Sequence, residues 1–186
     1  ANIPELAANA VLNIDLDAQA NGLQVTDLML QSSLADTLGK TLQQVKVSGP
    51  LKTQLNLHVP LSDKDIVVKG NVLLVENQVE LPNLNILLEQ THGTVSFINN
   101  KITASGLQDQ LLQQPIQRAL KGERQQGGYQ TDINVKGDWQ VTPLLGSYSE
   151  DLTRYLSGTT NWTADIALTL PSQGYQYSAQ VVSDLT

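Results

Sequence analysis

The side chains able to do chemistry are few and far apart. His58 and His92 are the only imidazoles, and there is no cysteine. His58 stands in an alternating polar and apolar run and His92 in a His-Gly pair. Neither has a partner nearby in sequence with which to share a proton, so both read as solvated structural residues. Asp15 and Asp17 stand two apart, on one face of an extended chain, where two carboxylates could hold a hard cation. On an exposed strand the same pair reads as solvation. Ser62-Asp63-Lys64-Asp65 sets a hydroxyl near an amine, as some hydrolases do, but Pro60 and the flanking charges predict a turn. Gly70, Gly93 and Gly137 stand singly and form no phosphate-cradling loop. Asn161-Trp162-Thr163 matches a glycosylation sequon, a three-residue pattern common by chance. These residues predict no enzyme, no metal and no cofactor.

Composition narrows the classes further. The 186 residues suffice for one domain, or for one slice of a longer repetitive structure, with a sizeable core. Eleven basic residues against 18 acidic ones give a net charge of −7, and the basic residues are scattered singly, so no cationic stripe exists to neutralise phosphates and nucleic acid is not an expected partner. Without cysteine, disulfides and thiol redox chemistry are excluded. Apolar runs such as Val72 to Val75 fall far short of the roughly 20 residues needed to cross a bilayer. The opening Ala1-Asn2-Ile3-Pro4 has no basic or apolar leader region, and both ends read as boundaries cut from something larger.

The elements that must position any site are set by strict alternation, which sends successive side chains to opposite faces of a strand. Leu12, Ile14, Leu16 and Ala18 alternate with Asn13, Asp15, Asp17 and Gln19, and Leu55, Leu57 and Val59 with Gln54, Asn56 and His58. The pattern returns from Ile66 to Leu74, at Val79-Leu81, Leu84 to Leu88 and Val95-Phe97, then from Ile133 to Val141, Trp162 to Leu170 and Tyr175 to Val181. Turn chemistry falls at Asn21-Gly22, Pro60 to Asp65, Glu76-Asn77, His92-Gly93, Asn99-Asn100, Gly127-Gly128 and Pro171 to Gly174. The expectation is a mainly β fold, an antiparallel meander of nine to twelve strands. Two stretches break the period: 33–43, with leucines four apart, and 143–156, with Gly158 just beyond, are expected to be short helices. Gln108 to Arg124 could line a helix, but Gln113-Gln114-Pro115 would break it, and a hairpin is the expected reading.

Every strand of such a meander presents an apolar face that something must cover. Two such faces could close on each other as a sandwich about 10 Å apart. One Phe and two Trp are sparse filler for that core, and a lining of Leu, Val and Ile could equally be covered by hydrocarbon in a sheet curled into an open U-shaped trough with an aliphatic interior.

Val67-Val68-Lys69-Gly70-Asn71-Val72, then Gly93-Thr94-Val95-Ser96-Phe97-Ile98-Asn99-Asn100-Lys101-Ile102, then Ala104-Ser105-Gly106-Leu107, resemble the recurring unit of the AsmA-like proteins of the Gram-negative envelope. In that unit a Gly-x-Val-x-Phe strand leads through an Asn-rich turn to a second strand. Tyr129, Lys136-Gly137-Asp138-Trp139, Leu156-Ser157-Gly158 and Trp162 through Leu170-Pro171 extend the resemblance, which covers most of the chain from about Leu51. It implies a bridge-like lipid transporter, anchored in the inner membrane by an N-terminal helix lying outside this segment and crossing the periplasm as a long curled sheet, with residues 1–186 a single internal section of that longer elongated β-sheet protein. Its partners would be phospholipid acyl chains, the inner and outer membranes through other parts of the protein, and neighbouring β segments of the same chain.

The candidate groove lining is then Leu12, Ile14 and Leu16; Leu55 and Leu57; Val68, Val72 and Leu74; Leu84, Ile86 and Leu88; Val95 and Phe97; Ile133, Val135 and Trp139; and Ile166 and Leu168. Ordinary core packing is the competing reading of each. A second function class stays open: a periplasmic β-sandwich scaffold or binding module for protein or glycan, with Trp139 and Trp162 stacking on sugars.

Overall fold

The computed structural model describes residues 11–31, 45–61, 65–146, 158–170 and 176–185. They build one antiparallel sheet of ten strands. β1 (Val11–Asn21) pairs with β3 (Pro50–Pro60). From β3 each strand pairs with the next: β4 (Val67–Leu81), β5 (Ile86–Ile98), β6 (Lys101–Leu111), β7 (Gln114–Gln125), β8 (Gly128–Gln140), β9 (Thr159–Leu170) and β10 (Gln176–Leu185). The short β2 (Lys46–Ser48) continues the line of β3 along β4. β1 and β10 are edges and do not pair with each other, so the sheet is open and the expected meander is what forms.

Two short helices join it, α1 (Gly22–Leu30) and α2 (Val141–Gly146). α1 replaces the turn expected at Asn21-Gly22, and its cause is local. Asn21 accepts the Leu23 N–H at 3.1 Å on its side-chain oxygen, and Gln24 reaches back to accept the Asn21 N–H at 3.3 Å. This reciprocal capping box satisfies two amides that a helix start leaves open. α2 begins two residues before the helix expected at 143–156, of which 147–157 lie outside the described residues, as does the helix expected at 33–43. No helix among the described residues is long and apolar enough to cross a membrane.

The middle strands are longer than the alternation suggests, 15 residues in β4 and 13 in β5, because the turn expected at Glu76-Asn77 is a bulge and the one expected at His92-Gly93 is continuous strand beside a second bulge. Each of β4, β5 and β6 inserts one residue, between Leu74 and Asn77, between Leu88 and Thr91, and between Ala104 and Leu107. Glu76 (φ 57°), Gln90 (φ 49°) and Gly106 (φ 71°) adopt the left-handed conformation there. One extra residue flips the parity of every later side chain. The interior-facing set therefore passes from Val72 and Leu74 to Asn77 and Val79 on β4, and from Ala104 to Leu107 and Asp109 on β6. Leu84 falls outside this pattern, since it ends a one-turn 3-10 helix (Pro82–Leu84), is exposed, and precedes a β5 that starts at Ile86.

Polar ties hold the bulges. Asn77, fully buried, accepts the Val75 N–H at 2.7 Å and donates to the carbonyls of Ser48 and Pro50 at 3.0 and 3.1 Å, bridging the break between β2 and β3. Across the same band Asp109 receives Arg118 through two bonds of 3.0 and 2.9 Å and the Thr91 hydroxyl at 2.7 Å, tying β5, β6 and β7 together.

The predicted hairpin is present. β6 turns into β7 through Leu112-Gln113, with φ 52° and 63°, a two-residue loop with both residues left-handed as in a type I′ turn. Neither residue favours that conformation. Leu112→Asn with Gln113→Gly is expected to raise stability by about 1 kcal/mol, read as a higher thermal midpoint. Asn77→Ala is expected to lower it by about 1–3 kcal/mol, read from urea unfolding, because three part-buried backbone groups lose their partner.

Candidate functional site

Direct cross-strand partners share a face. Ala18, Thr53, Val72, Val95, Ala104, Leu120, Ile133, Ile166 and Ala179 form one unbroken line of such partners through nine strands. Leu16, Leu55, Gly70, Phe97, Ile102, Gly122, Thr131, Leu168 and Tyr177 form the next. At about 4.8 Å per strand, each line runs roughly 38 Å across the sheet. Every candidate lining residue except Leu84 lies on this one face.

The opposite face is mostly polar, with Leu73, Leu87, Ile98 and Val182 exposed on it, and carries short side-chain bonds: Asn56 to Asp15 at 2.5 Å, Asn134 to Asp165 at 2.7 Å, Ser96 to Asn71 at 2.7 Å, and His58 with Asn13 at 2.8 Å. Asp15 is thus engaged by an amide, and His92 lies within β5 across from Gln108 rather than in a turn. Among the described residues no three His, Asp or Glu side chains converge as a metal site would require.

The apolar face folds onto itself. Val79, Leu88, Ile116, Val135, Trp139 and Ala164 form one buried cluster, so side chains of β4 and β5 meet those of β7 to β9. A second cluster joins Leu51, Leu74, Ala104 and Leu107, with Val25 of α1 packed against it. Leu107 reaches across β5 because Gly93 has no side chain there; a Cβ would sit 2.7 Å from its methyl. Likewise the rings of Phe97 and Trp162 lie over Gly70 and Gly137, where a Cβ would meet ring atoms at 2.5 Å.

The candidate lining therefore divides. Leu74, Leu88, Phe97, Val135 and Trp139 are buried. Leu12, Ile14, Leu55, Leu57, Val68, Val72, Ile86, Val95, Ile133, Ile166 and Leu168 are half-buried, and Leu16 is 51% exposed. Trp139 donates to the Pro115 carbonyl at 3.0 Å and meets Trp162 edge-on at 4.8 Å, so the tryptophans form no exposed stacking platform. Reasoning from alternation missed Leu107, Ile116, Leu120, Asn77, Thr91, Asp109 and Arg118 on this face. The signal for several of them is the apolar phase change between Ala104 and Leu107, without room for a reversal.

Arg118 and Asp109 place a mutually neutralised ion pair on the apolar face, with the Asp109 side chain fully buried. Two parallel bonds make this a strong contact, but either partner alone would be an uncompensated buried charge. Arg118→Met is expected to cost about 3–5 kcal/mol in urea unfolding, and adding Asp109→Leu is expected to recover much of it.

Comparison with known proteins follows the geometry. The chain is 29% identical over 184 residues to the Intermembrane phospholipid transporter YhdP of Escherichia coli strain K12, an alignment covering 98% of this chain and 14% of that relative. The chain thus spans about one seventh of the relative's length. No solved structure matches. The family described as YhdP protein matches residues 1–186, including the stretch before Leu51 where the AsmA-like motifs are least distinctive. The resemblance carried by the Gly-x-Val-x-Phe unit and the later tryptophan segments is borne out, and the chain belongs to the YhdP family.

Proposed function

We propose that this chain is an internal section of a groove that conducts phospholipids between the inner and outer membranes, with acyl tails on the apolar face and head groups at the open rim. The observation that carries this reading is the line from Ala18 to Ala179, almost wholly apolar, running through nine strands of an unclosed sheet. A sheet made only to pack itself would have no use for half-buried aliphatic side chains in register over that distance. The relative's description as an intermembrane phospholipid transporter supports it, as does the small share of that relative the chain covers, which suits one section among several. On this reading the protein resides in the periplasm, is anchored to the inner membrane by a helix outside this segment, and joins neighbouring β segments at the β1 and β10 edges.

The energetics favour such a path. A phospholipid with roughly 30 acyl methylenes, at about 0.8 kcal/mol each, faces a cost on the order of 20 kcal/mol if both tails cross water. A continuous aliphatic surface removes most of that barrier without bond chemistry, so the role is non-catalytic. Selectivity would then be weak, because tails of any phospholipid wet the same surface. The half-buried residues Ile133, Ile166, Val72 and Leu168 are the ones a tail would touch. The buried Val135 and Trp139 form the packed floor beside them.

Photo-crosslinking from Ile133 and Ile166 in the full-length protein in cells is expected to capture phospholipid, and crosslinking from Asn134 on the polar face is not. Ile133→Asp or Ile166→Asp is expected to reduce transport strongly while leaving the fold intact. Unfolding by either variant, or no capture at either position, would return these strands to ordinary core packing.

A further inference from the structure

The interior polar groups of this fold are nearly all satisfied. Asn77, Asp109 and Gln114 have bonded partners, and the Trp139 indole N–H reaches a carbonyl. Among the described residues three buried side-chain polar atoms have none: the Thr53 hydroxyl, the Tyr129 hydroxyl and the Trp162 indole N–H. By register all three lie on the apolar face. Each can donate a hydrogen bond, so what they lack in common is an acceptor.

Tyr129 is the sharpest case. It is 4% exposed, and its ring lies over Gly122, where a Cβ would come within 2.9 Å of the hydroxyl oxygen and of the Ile102 side chain. Burial, with a further contribution from Glu123, pushes the phenol pKa up to about 12, so the group is a protonated donor at any physiological pH. Its cross-strand partner is Arg124, two residues from the β7–β8 turn at Gln126-Gly127, and its buried hydroxyl lies over Gly122 beside the half-buried Ile102, so a ligand on this face reaches it only when the Ile102 side chain shifts. An acceptor that travels within an apolar phase but next to its polar boundary has the chemistry of an acyl ester: a carbonyl oxygen, no donor, attached to hydrocarbon.

We propose that the Tyr129 hydroxyl donates a hydrogen bond to an ester carbonyl of a diacyl glycerophospholipid lying on the apolar face, a contact that sets the depth at which the lipid rides. This rests on the groove reading and adds a registration point to it. The contact distinguishes ester-linked from ether-linked lipids, since an ether oxygen is a far weaker acceptor and the tails are otherwise alike.

The test uses the full-length protein with p-benzoylphenylalanine replacing Leu168, which faces Thr131 one register step from Tyr129. The protein is loaded with phosphatidylethanolamine of matched chain length in ester or ether form. The expected crosslink yield is about five- to tenfold higher for the ester lipid, the range of one net hydrogen bond. Tyr129→Phe, which keeps the ring, is expected to bring the ester lipid down to the ether level and to leave thermal stability equal or higher. Unchanged ester preference in Tyr129→Phe would overturn the proposal, as would a clear loss of stability, which would mean that the hydroxyl is bonded within the protein. Capture at Ile133 and Ile166 without capture at Leu168 would sink this contact but spare the groove. Capture at none of the three positions would remove both.

Discussion

A sheet that is apolar on one face and polar on the other must bury the apolar face, and here no second sheet among the described elements lies against it. α1 contributes Val25 to one cluster, which covers only part of the surface. Two solutions remain open to such a sheet: to curl until its own strands meet, or to share the face with another apolar phase. This chain uses the first over the region of Val79, Leu88, Ile116 and Trp139, where the walls pack to burial. Around Ile133, Ile166, Leu12, Leu55 and Leu57 the face stays half covered. The molecule is neither a sealed sandwich nor a bare sheet.

The curl has a local cause. Bulges raise twist and bend the strand that carries them, and those of β4, β5 and β6 lie side by side. The two polar assemblies in the interior, Asn77 with the β2–β3 break and Thr91-Asp109-Arg118, sit on that band. Buried polar groups are costly unless every partner is in place, so they tolerate one geometry and pin the bend there. The exposed pairs Lys46–Glu80 and Lys101–Glu123 lie in high dielectric and contribute little by comparison.

The same division lets one surface be packed in one region and half covered in another. Glycine opposite an aromatic ring, as at Gly70 with Phe97 and Gly137 with Trp162, lets flat rings lie close to the backbone and keeps the interior shallow. Bulky aliphatics directly opposite each other, as at Leu120 with Ile133 and Ile133 with Ile166, leave side-chain ends accessible. With acidic and amide residues on the outer face, the section can stay in water while carrying an apolar interior.

Much of this was legible from the residues. Period-two alternation is a short-range property of an extended chain, so Leu12 to Ala18, Ile133 to Trp139 and Ile166 to Leu168 declare their face without reference to any neighbour. The hairpin at Leu112-Gln113 was visible through Pro115, and the Asn21-Gln24 capping box was there to be read. What the residues did not decide was whether Glu76-Asn77 reverses the chain or kinks it, and whether His92-Gly93 is a turn or continuous strand. A left-handed residue is common to turns and bulges, and only the pairing of β4 with β5 on both sides of the kink settles which one forms. Nor did they decide which apolar side chains are floor and which are surface. Leu74 and Val72 look alike in sequence, yet burial depends on how far the sheet curls, a sum of contacts among strands as distant in sequence as those of Val79 and Ala164. Alternation thus determined the two faces, and only the tertiary structure decided how much of the apolar one remains open.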